Sequence, residues 1–223
     1  MTYYFSILFG SVFFPILISF HHKLKFNKKF DVLVKTIPIA SVPFIIWDFI
    51  FTDLKIWSFD YQFVSDIYLY NLPLEEVLFF LCIPFCCLFT YHVIEVQQIS
   101  FFRFNNFFRF NLLSSTILLL FAFVFYNNRY TLTCFILCAL LVIYETVFLK
   151  KINYNLFYTS FLFLMVPFCL VNGALTGLFN EQTVVWYCEQ DIIGIRLFTI
   201  PIEDIFYSLQ LQLLNLILYK HFK

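Results

Sequence analysis

Residues 43–54, PFIIWDFIFTDL, return in altered form as residues 167–178, PFCLVNGALTGL. In this frame Pro43 falls on Pro167, Asp48 on Asn172 and Thr52 on Thr176. A polar loop carrying a tryptophan follows each copy, Trp57 in one and Trp186 in the other. A new apolar run then opens with Pro73-Leu74-Glu75-Glu76 or with Pro201-Ile202-Glu203-Asp204. The chain is therefore an internal repeat, and the repeat decides its architecture.

Working outward from the repeat, apolar windows predict helices near 3–21, 32–51, 72–94, 112–126, 130–149, 154–172 and 198–219. Phe alone supplies 35 of the 223 residues, charged residues are 13% of the chain, and the mean hydropathy is +0.85. Such a composition makes the bilayer the solvent, and a hydrocarbon core of about 30 Å takes roughly 20 apolar residues per helix. The expected fold is all-α, a polytopic membrane bundle of about seven transmembrane helices. Helices two and three correspond to six and seven. That offset of four helices gives both copies the same orientation, as parallel repeats. The expected division is a first repeat over 1–97, a connecting segment and helix over 98–127, and a second repeat over 128–223. The first apolar run lacks a basic leader and a small-residue cleavage site, so it reads as a retained helix.

Charge sets the expected orientation. Lys23, Lys25, Lys28, Lys29, Arg103, Arg109, Lys150, Lys151, Lys220 and Lys223 fall on one side, against Lys55, Arg129 and Arg196 on the other. The positive-inside rule then places the C-terminus in the cytoplasm and the protein in the cell membrane. Membrane lipid is the expected surrounding. Net charge is zero, which argues against a nucleic-acid partner. Six of the seven cysteines lie in apolar runs and read as small hydrophobes, and only Cys188 looks loop-borne. His92 stands alone in its helix, so no metal centre is expected. The four glycines make no dinucleotide fingerprint, so no cofactor is expected either. Helix seven offers no lysine for a retinal Schiff base.

The informative residues are carboxylates. An ionised acid inside a membrane costs about 2.5–3.5 kcal/mol on insertion scales, so such groups face a cavity or a partner. Proline at a helix start and acids in the first turn are also ordinary capping. A cap, however, needs only one polar side chain, and here adjacent acids recur in matched frames at Glu75-Glu76 and Glu203-Asp204. With Asp48 and Asn172 they converge at one depth. Neighbouring helix residues point about 100° apart, so one acid of each pair should face a cleft and the other a neighbouring helix or the interface. Buried acids meeting across a two-fold cleft can hold a transferable proton. Protonation of an alkene suits that arrangement, with aromatic faces stabilising the cation and a carboxylate or amide removing a proton. Glu95 and Glu145 read as pairing or interfacial groups. The competing reading is a small proton-coupled transporter. It would place acids near helix centres at Gly or Pro breaks, whereas here they lie at helix starts, and Pro15 and Pro84 interrupt helices without a polar partner.

The stretches IIWDFIFTDLKIW, LPLEEVLFF and GIRLFTIPIEDIFY resemble the fused form of the heterodimer-type lycopene cyclases, membrane proteins of two homologous parts with a P-x-E-[ED] motif in each. The resemblance covers nearly the whole chain and is strongest at 43–80 and 167–210. It implies an isomerase (an intramolecular lyase) that performs redox-neutral β-cyclisation of the linear ends of lycopene, through γ-carotene to β-carotene, and it leaves room for association with other carotenoid enzymes. The implied catalytic residues are Glu75, Glu76, Glu203 and Asp204. Pro73 and Pro201 belong to the motifs, while Asp48 and Asn172 are supports suggested by the repeat alone. Exchange of Glu75 or Glu203 for Gln is expected to abolish ring formation. Both motifs fall at one face, so the two halves are expected to build one shared site.

Overall fold

Apolar runs in a membrane become helices because a helix satisfies its own backbone N–H and C=O groups. In the computed structural model, which describes residues 2–102, 107–179 and 183–223, seven such helices form. They are α1 (Tyr3–Ser19), α2 (Phe30–Asp53), α3 (Leu74–Gln97), α4 (Phe108–Val124), α5 (Arg129–Tyr144), α6 (Tyr154–Leu175) and α7 (Glu203–Phe222). A 3-10 turn, Phe26–Lys29, leads into α2, and a π turn, Glu145–Leu149, continues α5. Arg103, one of the expected orientation signals, lies outside the described residues. Phe26–Asp53, Leu74–Gln97, Arg129–Leu149 and Tyr154–Leu175 are long and apolar enough to cross a membrane, and α1 and α4 are shorter apolar helices. The remaining helix, α7, is more polar because it buries Gln210, Gln212 and Asn215 inside the bundle.

The packing repeats as the sequence does. Helix α1 packs on α3 as α5 packs on α7, and α2 meets α7 as α6 meets α3. Helix α4 packs chiefly along α5.

Three short strand pairs cluster at one end of the bundle, and the apolar windows do not foresee them. β2 (Tyr68–Leu69) pairs with β3 (Leu72–Pro73), and β5 (Arg196–Leu197) with β6 (Ile200–Pro201). These hairpins correct the expected starts of helices three and seven. Pro73 and Pro201 close strands, where a residue without an N–H is tolerated at a sheet edge, and the helices begin just after them. Each hairpin turns through a left-handed residue, Tyr70 at φ 58° and Phe198 at φ 57°. The loop then folds back alike in both halves, Leu74 N–H to Ile67 C=O at 2.8 Å and Ile202 N–H to Ile195 C=O at 3.0 Å.

The third pair joins the halves. β1 (Trp57–Phe59) runs antiparallel to β4 (Val185–Tyr187), with Trp57 opposite Tyr187, Ser58 opposite Trp186 and Phe59 opposite Val185. The hairpin equivalences Leu72 to Ile200 and Pro73 to Pro201 carry back to match Trp57 with Val185 and Ser58 with Trp186. The ladder is thus symmetric about the Ser58–Trp186 step, as two-fold-related strands are. The two tryptophans named from the sequence are not each other's counterparts. The loop after α6 is longer than the loop after α2 and shifts the frame between Asn172 and Val185.

Prolines inside helices leave unpaired carbonyls one turn earlier. At Pro84 the freed Phe80 carbonyl accepts the Ser41 hydroxyl at 2.5 Å. At Pro15 the freed Ser11 carbonyl accepts the Cys86 thiol at 3.4 Å. Both interruptions therefore have polar partners, which corrects the expectation that they have none.

Candidate active site

The ends of α2 and α6, the starts of α1, α3, α5 and α7, and the β1–β4 ladder surround a cavity of about 90 Å³. Asp48, Glu76 and Asp204 line it, together with Asn172. Its remaining wall is largely aromatic, with Trp57, Phe59, Phe79, Tyr130, Phe168, Tyr187 and Tyr207. Of the eight acid-motif and supporting positions read from the sequence, four do not line this chamber, namely Glu75, Glu203, Pro73 and Pro201, and Asn172 lines it while its amide Nδ2 donates to Phe168 C=O of its own helix at 3.3 Å.

The two acids of each motif divide as their 100° separation requires. The first acid of each pair braces the loop before its helix. Glu75 accepts from Thr2 Oγ1 at 2.7 Å, from Ser65 N–H at 2.7 Å and from Ser65 Oγ at 2.9 Å. Glu203 accepts from Thr131 Oγ1 at 2.6 Å and from Ile193 N–H at 2.7 Å. Both are fully buried.

The second acid of each pair faces the chamber and meets a tyrosine that the sequence reading missed. Tyr4 donates to Glu76 Oε2 at 2.7 Å, and Tyr130 donates to Asp204 Oδ1 at 2.6 Å. Each is the second residue of its helix, and each helix start is docked alike, Tyr4 N–H to Phe63 C=O and Tyr130 N–H to Asp191 C=O. That shared placement at the openings of α1 and α5 was the available signal.

Beyond this symmetry the halves differ. Asp204 has a second phenol donor, Tyr187 Oη to Oδ2 at 2.9 Å, where the first half has Phe59. Burial first, and then the Asp204 charge, push the Tyr187 phenol well above its ordinary value, so it remains a donor. Glu76 instead has a carboxyl neighbour, Asp48, which is 2% exposed and faces it within the chamber. The Trp57 indole N–H is buried in the same wall and lies beside the Asp48 carboxyl.

The other polar groups are structural. Glu95 pairs with Lys220 at 2.9 Å. Glu145 accepts the N–H groups of Lys151 and Ile152 at 2.8 and 2.7 Å and so caps the π turn. His92 meets the Leu24 carbonyl at 2.8 Å. Among the described residues no three His, Cys, Asp or Glu side chains are grouped to hold a metal ion.

The chamber thus offers buried acids, fixed phenol donors and aromatic faces in a small apolar space, the equipment for moving a proton to and from a hydrocarbon. No curated protein and no solved structure matches the chain. The family model described as lycopene cyclase matches residues 1–94 and 127–222, which take in both acid motifs and every wall of the chamber. On that match the chain belongs to the lycopene cyclase family, membrane-associated enzymes of carotenoid biosynthesis whose substrate is lycopene.

Proposed function

We propose that this protein is a lycopene β-cyclase, which closes the linear ends of lycopene into β-ionone rings without electron transfer, giving γ-carotene and then β-carotene. The observation that carries the reading is the asymmetric pair of acid positions in one aromatic chamber: Glu76 beside Asp48, and Asp204 held by two phenols.

Glu76, in its protonated form and backed by Asp48, is the donor. Its proton adds to the terminal double bond of the polyene and leaves a tertiary cation. The π electrons of an internal double bond then close the six-membered ring, which moves the positive charge to a ring carbon. Asp204 accepts a proton from the adjacent carbon, and the ring double bond forms. One proton enters and one leaves, so the product is an isomer of the substrate. Faces of Trp57, Phe79 and Tyr207 support the charge between the two proton transfers. Tyr130 and Tyr187 fill both oxygens of Asp204 with donors, which suits an acceptor better than a donor. Glu75 and Glu203 are positioning residues, because they fix the loops that carry the chamber wall.

The units are 1–97 and 128–223 with a connecting segment and helix at 98–127, and the chain crosses the membrane several times with its C-terminus in the cytoplasm. Expression in a lycopene-producing host, followed by pigment analysis, is the test. Ringed carotenes are expected. Unchanged lycopene in cells whose membranes contain the protein would overturn the assignment.

A further inference from the structure

The acid chamber continues into a second space. Phe79, Ile83, Phe168, Asn172 and Ser208 line both the chamber and an adjoining cavity of about 170 Å³ between α1, α3, α6 and α7. The adjoining cavity reaches Thr90 on α3 and Phe161 on α6. From Phe79 to Thr90, and from Asn172 back to Phe161, the helices each advance 11 residues, about 16 Å at a rise of 1.5 Å per residue. Two antiparallel walls therefore give the same length. Pro15 and Pro167, both inside helices, face this space. A proline ring and its missing hydrogen bond bend a helix and hold neighbours apart, which is how a bundle keeps an elongated gap unfilled.

We propose that this cavity is the polyene subsite, in which the stretch of an extended acyclic hydrocarbon next to its reacting end lies between Phe79 and Thr90 while its terminal double bond stands among Asp48, Glu76 and Asp204. The inference rests on the cyclase reading and deepens it. Its occupant follows from continuity and chemistry: the cavity opens from the acid chamber, it is narrow and long, and its wall is apolar apart from a few side chains that mostly have partners, with Gln212 Oε1 alone among them buried and unpaired at the far end. Thr90 donates to the Cys86 carbonyl at 2.9 Å, and the Gln212 amide donates to Ser160 at 2.8 Å. A flat hydrocarbon chain with no polar group fits such a wall. The far end near Thr90 and Gln212 then sets how much chain the enzyme prefers beyond the reacting end.

The test compares lycopene with a shorter acyclic polyene that carries the same end group, using the full chain in liposomes. In Thr90→Trp, which plugs the far end, the preference for lycopene over the short polyene should fall at least severalfold. An unchanged preference overturns the subsite. Wild-type protein that cyclises neither polyene sinks the cyclase reading instead, so the two failures are distinct. A second measurement does not depend on the plugged variant folding. In Asp204→Asn, lycopene should slow alkylation of Cys86 and Cys87 by N-ethylmaleimide severalfold, because both thiols line the cavity, and leave Cys188 in its loop unaffected. Equal slowing at all three, or none, overturns the proposal.

Discussion

Tyr4 stands to Glu76 as Tyr130 stands to Asp204: each phenol opens a helix and donates to the second acid of a motif, at 2.7 and 2.6 Å. The relationship ties the starts of α1 and α5 to the chemistry and separates the acids that face the chamber from those that hold its walls.

Glu76→Gln and Asp204→Asn should each reduce ring formation to background in lycopene-producing cells, with protein still present in the membrane. Immunoblots of the membrane fraction beside pigment chromatography make the check. Wild-type product levels in either variant would remove that residue from the proton path.

Glu75→Gln and Glu203→Gln should show a different signature. Each places an amide among donors that need an acceptor, Ser65 and Thr2 or Ile193 and Thr131, and an unsatisfied buried group costs about 1–3 kcal/mol. The expected outcome is a lower unfolding temperature in detergent, with activity falling along with the amount of folded protein. Full stability combined with complete loss of turnover would make them reacting groups.

Tyr187→Phe removes one of the two donors on Asp204. A hydrogen bond to a charged group is worth about 1.5–3 kcal/mol, so kcat should drop roughly tenfold to a hundredfold while KM stays near wild type. Steady-state assay in liposomes checks it. A rise in KM at constant kcat would point to a substrate-binding role.

Both motifs share one chamber, so the two ends of lycopene must be served in turn. A one-ring carotene should therefore appear early in a time course and decline as the two-ring product grows. Direct conversion, with no one-ring species at any time, would require the second end to react without leaving the protein.

Asp191 ties α5 to the loop before β5. Its backbone carbonyl accepts from Tyr130 N–H, and its carboxylate accepts from Arg129 at 2.6 and 2.9 Å. The Arg129 hydrogen bond holds the Asp191 carboxyl below its ordinary value of 3.8. The pair's contribution is therefore complete at neutral pH and is lost as the pH falls through the folded value, below 3.8. Arg129 is half exposed and solvent screens the pair, so Asp191→Asn should lower the melting temperature only slightly at pH 7. Thermal melts between pH 7 and pH 3 should converge for the variant and the wild type at the acid end.

Much of this was legible in the sequence, for identifiable reasons. Helices of about 20 apolar residues announce themselves, and α2, α3, α5 and α6 lie close to where the windows put them. The convergence of Asp48, Glu76 and Asp204 followed from the repeat, because matched frames place equivalent residues at equal depth. The hairpins were hidden, since two-residue strands carry no periodicity, and so Pro73 and Pro201 read as helical. The inward acid of each pair was also hidden. A 100° step says that Glu75 and Glu76 diverge, but only the neighbours Thr2, Tyr4 and Ser65 decide which one turns in.

Helix α4 takes on a meaning once the repeat is followed along the chain. Three successive helices begin at one end of the bundle and finish at the other, so a second copy attached directly would be upside down. One return stroke restores the direction, and α4, lying against α5 and contributing nothing to the chamber, is that stroke. Its outward positions are consequently free to drift so long as they stay greasy, whereas buried Asn111, bonded to Thr146 and Tyr158, keeps the stroke in place.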